Sequence, residues 1–180
     1  PRDVDWFVWK DGGPVAEKQK DGSTLNYRTP GMQGLLDGIR ATGAKNLVVA
    51  GGLDWAYDLR GLGAGNSLKD PKGNGVVYGI HLYPWKKDWD KMFGFLTDKY
   101  PVFVGEVGCE VDDKYEDPYV WGPTVMAYVQ SKKLSWAAWS FHPTASPSLI
   151  RDWEYEPTSA WGSLVRQALA GAKFQPMGSR

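Results

Sequence analysis

Hydrophobic and polar positions along this chain alternate between two periods. Short apolar runs rich in β-branched or aromatic residues occur at 46–50, 76–82, 101–108 and 135–140, each bounded by glycine, proline or polar turn residues, and each predicts a buried strand. Between them apolar residues recur at helical spacing: Met32, Leu35, Leu36 and Ile39 after Thr29-Pro30 and before Gly43; Trp89, Met92, Phe93 and Leu96 before Pro101; Val125, Tyr128 and Val129; and Trp161, Leu164, Val165 and Ala168 between a Thr158 cap and a Gly171 stop. Residues 1–28 are polar and turn-rich and predict a long surface loop; 53–75 carries only a weak helix signal.

Strands that alternate with helices predict an all-parallel sheet, because each return to the sheet needs a crossover. The segments after the strands are long and aromatic, and those before them are short. That asymmetry predicts an α/β fold of the parallel (β/α) TIM-barrel type, whose functional face is built from the loops after the strands. Only four strands are legible, against a usual length of about 250 residues for eight. The 180 residues suit one unit.

Composition narrows the function. Lys plus Arg and Asp plus Glu both number 21, so no charge footprint points to nucleic acid or an anionic membrane, and no apolar run approaches a membrane span. Cys109 is the one cysteine, which excludes an internal disulfide and a thiolate metal cluster. The acidic run from Glu110 to Asp117 reads as a solvated loop without EF-hand spacing, and nothing calls for a metal or another cofactor. Ten Trp and 9 Tyr, many beside glycine, proline or aspartate, suit a sugar ligand, whose ring faces are apolar and whose hydroxyls need polar partners.

The candidate chemistry centres on Glu106, a single charge at the carboxyl end of Val102-Phe103-Val104-Gly105-Glu106-Val107. Strand ends in α/β enzymes present side chains into a cleft while the sheet holds them rigid. A strand cap or an arginine ion pair fits the same position.

Six phrases then carry a resemblance: Gly31-Met32-Gln33, Ile39-Arg40-Ala41-Thr42-Gly43-Ala44, Gly51-Gly52-Leu53-Asp54-Trp55, His81-Leu82-Tyr83, Val104-Gly105-Glu106-Val107-Gly108 and Ala138-Trp139-Ser140-Phe141. In order and spacing they resemble the second half of glycoside hydrolase family 5, in particular bacterial endo-β-1,4-glucanases. The resemblance implies that residues 1–176 are the C-terminal half of an eight-stranded barrel, strands five to eight; the polar Met177-Gly178-Ser179-Arg180 reads by itself as a tail or cloning remnant. It implies a retaining hydrolase of internal β-1,4-glucosidic bonds in cellulose or a related β-glucan, with Glu106 as nucleophile, Tyr83 hydrogen-bonded to it and His81 lining the site. Trp139 is implied beneath the sugar, with Trp136 the alternative inward ring. Trp55 and Trp85 are candidate outer platforms, each fitting a packing role equally, and His142 is a candidate contact. Secretion is expected from the resemblance and the insoluble substrate.

The family's acid/base glutamate, in an Asn-Glu-Pro sequence after strand four, is not among these residues; Pro1 fits the motif's proline, and as a chain start it reads as a processed or cut end. Asp54, after strand five, and Glu110, beyond Glu106 on the same loop, are the carboxyls within reach of the cleft that could replace that glutamate, and neither fits the family's pattern. Open sheet edges are association-prone, so the chain is expected to pair with an N-terminal half-barrel or a second copy of itself. The alternative is a non-catalytic half-barrel that self-associates or binds β-glucan.

Overall fold

The computed structural model describes residues 3–112 and 114–177, with side chains from Trp6 onward; Pro1, Arg2, Asp113 and 178–180 lie outside them. The core is a sheet of four parallel strands, β3 (Val48–Gly51), β4 (Val76–Leu82), β5 (Val102–Val107) and β6 (Ser135–Ala138), in the spatial order of the sequence. β3 and β6 are therefore its two edges.

Burial alternates along the strands with the pleat. Tyr78, Ile80, Leu82, Val102, Val104 and Val107 face a layer of helices and are nearly inaccessible, packed with Phe93, Trp121, Val125, Val129 and Trp161. The opposite face, with His81, Phe103 and Glu106, is only partly covered, and Val49 is 55% exposed.

Helix α3 (Pro118–Ser131) starts as its sequence dictates: the Asp117 side chain accepts from Tyr119 N at 2.9 Å and Pro118 occupies the first turn. Helix α4 (Trp161–Leu169) has Ala160 at its cap position, but Thr158 still serves the end, its Oγ1 accepting from Gly162 N at 2.9 Å. Helix α2 (Gly31–Ala41) buries only Leu36 of its apolar stripe; Leu35 and Ile39 are 51% and 39% exposed.

Two expectations fail. The predicted loop 1–28 instead holds helix α1 (Asp3–Asp11) and an antiparallel hairpin, β1 (Gly13–Lys18) with β2 (Thr24–Thr29). The reason is tertiary: Trp6 and Trp9, one helical turn apart, are both buried, pack edge to face at 5.0 Å, and Trp9 Nε1 donates to Gly51 O at 2.9 Å. The expected helix through Leu96 breaks after Trp89–Met92. Phe93 turns to φ −152° to enter the core, and a short 3-10 turn, Gly94–Leu96, follows. Gly94 is required there, since an added Cβ would lie 2.1 Å from the Tyr128 hydroxyl.

Candidate active site

The carboxyl ends of the strands carry the candidate residues, and a local irregularity sets their alignment. Val104 pairs with Ile80 across β4 and β5, but the next pair is His81 with Glu106, so Gly105 is an extra residue in β5. The same stretch is irregular against β6, where Val104 faces Trp136 and Val107 faces Ala138. A bulge changes which face the following side chains take. Here it puts Glu106 on the partly open face and Val107 in the buried layer; an unbroken alternation from Val104 would have buried the carboxylate.

Glu106 Oε2 accepts a hydrogen bond from the Tyr83 hydroxyl at 2.6 Å, and His81 Nδ1 lies 3.4 Å from the same oxygen. The glutamate and histidine side chains are 26% and 31% exposed, open enough to meet a ligand. Burial, then the bond to Glu106, pushes the Tyr83 phenol well above the ordinary tyrosine range. It stays a protonated donor over all ordinary pH.

Trp85 stacks on Tyr83, with ring centres 4.8 Å apart and planes 6° from parallel, so one face of each ring is committed to the other. Trp139 follows β6 on the side of Ser135 and Ala137, is 39% exposed, and is tied by Nε1 to Ser146 O at 3.3 Å. Trp136 takes the other face and packs, partly buried, on the core. Trp55 is 85% exposed on the loop after β3. His142 has its partners on its own loop: Nδ1 accepts from Thr144 N at 3.1 Å, and the ring meets Trp153 edge-on.

The other two carboxyls named from sequence differ in setting. Asp54 is held by Lys86 Nζ at 2.6 Å, and Glu110 is exposed beyond β5. In the acidic loop Glu116 pairs with Lys87. Among the described residues no three His, Cys, Asp or Glu side chains gather to hold a metal ion.

Sequence reasoning missed Lys86 and the Gly105 bulge. A glycine inside a strand pattern is the one available signal for the bulge; nothing in the spacing marks Lys86.

A family model described as cellulase (glycosyl hydrolase family 5) matches residues 19–145. No curated protein matches the chain. Among solved structures, a β-glucanase from Saccharophagus degradans is 30% identical, with a TM-score of 0.65, over 77% of this chain and 45% of that one. The same enzyme in complex with cellotetraose is 29% identical at the same TM-score. An endoglucanase from Pseudomonas stutzeri, solved with cellobiose, is 17% identical with a TM-score of 0.59, over 82% of this chain and 52% of that one, a likeness of fold. The chain thus spans less than half the length of the β-glucanase, and its four parallel strands form part of a (β/α) barrel.

Proposed function

The chain belongs to glycosyl hydrolase family 5, and from that premise we propose that it supplies the nucleophile side of a retaining β-1,4-glucanase site. The observation that carries the reading is the pairing of Glu106 Oε2 with the Tyr83 hydroxyl at 2.6 Å and with His81 at 3.4 Å. A nucleophilic carboxylate must be ionised and rigidly aimed, and a phenol donating to one oxygen favours both. Because both contacts fall on Oε2, Oε1 is the oxygen that attacks.

In the first step Oε1 bonds to the anomeric carbon, the bond from that carbon to the bridging oxygen breaks, and the leaving oxygen takes a proton from a second carboxyl group. In the next, water attacks the same carbon, gives its proton to that second carboxyl and releases Glu106. This double displacement needs the two carboxyls about 5–5.5 Å apart. Trp139, with its exposed indole, is the proposed platform for the sugar at the cleavage point.

The second carboxyl is proposed to come from a complementary half-barrel. Supporting this are the two sheet edges β3 and β6, the uncovered face at Val49, and the exposed Leu35 and Ile39. Such a surface favours association. The expected substrate is an extracellular β-glucan such as cellulose, and the proposed site of action is outside the cell.

The test is solution mass by light scattering, with hydrolysis of a soluble cellulose derivative on the same fractions. The chain is taken alone and mixed with an N-terminal half-barrel that carries the family's acid/base glutamate. Hydrolysis only in the mixed complex, abolished by Glu106→Gln, supports the reading. Hydrolysis by the lone monomer places the second carboxyl within this chain. A self-associated chain that binds cello-oligosaccharide without hydrolysis in any mixture supports a non-catalytic half-barrel.

A further inference from the structure

The segment after β4 reaches in two directions. Tyr83 turns to Glu106, while Lys86, at the other end of a turn closed by Lys86 N donating to Tyr83 O at 2.8 Å, reaches into the loop after β3. Lys86 is 8% exposed, and its Nζ donates to Asp54 Oδ2 at 2.6 Å and to Asp54 O at 3.0 Å. The same nitrogen lies 5.8 Å from the ring centre of Trp55 and 5.1 Å from that of Tyr57. A buried ammonium is tolerated only when fully partnered. These partners all belong to one four-residue stretch.

That stretch is strained. Asp54, Trp55 and Ala56 stand at φ 55°, 53° and 56°, the left-handed region, in three consecutive residues that all carry a Cβ. Each is disfavoured relative to right-handed backbone, because Cβ crowds the following carbonyl oxygen. Such conformations persist where neighbours over-determine them, and they cluster at ligand clamps. Trp55 is the most exposed of the large apolar side chains among the described residues. The cation sits toward one side of its ring.

We infer that Lys86 is a positioning residue: with Trp55 taken as the outer sugar platform named from sequence, Lys86 fixes the turn that presents it. The inference rests on the glucan reading above. Lys86 touches Trp55 and Asp54, not the sugar, and its own turn ties the platform to Tyr83 and thereby to Glu106.

The test is a double-mutant cycle on cellohexaose affinity, measured by calorimetry on the full chain with wild type, Lys86→Met, Trp55→Ala and the double variant. Each single variant is expected to weaken binding about 3- to 10-fold, the size of one aromatic contact, and the double variant no further, because one acts through the other. Asp54→Asn, which loosens the same clamp from its more exposed end, is expected to weaken binding in the same direction, and Lys86→Arg to restore most of the affinity. The near-UV circular dichroism lost in Trp55→Phe is also expected to be lost in Lys86→Met, a readout that needs no sugar. Additive losses, an unchanged affinity in Lys86→Met, or an unchanged affinity in Trp55→Ala overturns this inference and leaves the glucan reading standing. Failure of the wild type to bind any β-glucan oligosaccharide both alone and in the complex with the N-terminal half-barrel overturns both.

Discussion

His81 and Glu106 face each other across β4 and β5 only because Gly105 is accommodated as an extra residue in the ladder; the pair before them is Ile80 with Val104. One irregular peptide decides that the carboxylate meets the open face, within 2.6 Å of the Tyr83 hydroxyl, instead of the packed helix layer.

That hydrogen bond has a measurable weight. A charge-assisted bond of this kind contributes about 1.5–3 kcal/mol, so Tyr83→Phe is expected to lower kcat/KM on a soluble β-1,4-glucan by about 10- to 100-fold in the hydrolytic complex. Steady-state kinetics checks it. An unchanged kcat/KM would remove Tyr83 from the machinery.

Alkaline stability is set by buried phenols. Tyr57, Tyr83 and Tyr128 are all pushed above the ordinary range, burial being the largest cause, with Asp88, Glu106 and Asp90 respectively the leading carboxylate neighbours. A group whose folded pKa is raised contributes stability that is complete below its unfolded value, about 10 for tyrosine, and that is lost as pH rises through the folded value. Urea midpoints are therefore expected to fall steeply above about pH 10, and the fall to be shallower in Tyr128→Phe. Equal slopes in the two proteins would contradict this.

On the acid side the corresponding pair is Arg40 and Asp70, with side chains 3% and 4% exposed. The guanidinium spans both carboxylate oxygens at 2.9 Å and also binds Ala44 O and Asn46 O, while Gly75 N donates to Asp70 Oδ2. The hydrogen bonds from Arg40 hold the Asp70 carboxyl below the usual range. Its contribution is present above the unfolded value, about 3.9, and is lost as pH falls through the lower folded value. Asp70→Asn is expected to lower the melting temperature at neutral pH and to flatten its decline below about pH 4, as followed by circular dichroism.

The docking of α1 depends on one missing methyl. A Cβ on Gly61 would lie 2.0 Å from Trp6 Cδ2, inside the ring. Gly61→Ala is expected to destabilise the chain by about 1–3 kcal/mol and to free α1, so that tryptophan fluorescence shifts red and proteolysis near Gly12 and Gly13 accelerates. An unshifted spectrum would show that Trp6 tolerates the intrusion.

The four strands, α2, α3 and α4 were legible because each carries its own apolar period and its own stop: Gly43 and Gly171 end helices at φ 85° and 91°, as a residue lacking Cβ can. The first 28 residues were not. Trp6 and Trp9 look like isolated aromatics in polar text until Gly61 and Gly51 are brought beneath them. The helix expected through Leu96 failed for the opposite reason: its period is sound, but core packing at Phe93 and the close approach of Tyr128 to Gly94 outweigh it.

The sequence by itself determined the parallel strand order, the placing of Glu106, His81 and Tyr83 at strand ends, and the family resemblance, because these follow from local periodicity and short motifs. Only the tertiary structure decided that Trp136 packs on the core while Trp139 is exposed, that Trp85 is committed to Tyr83, and that Lys86 clamps the left-handed turn under Trp55. Those outcomes depend on side chains from separate loops meeting at one end of the sheet. The free energy of such meetings lies in desolvation and register, which no single stretch of the chain encodes.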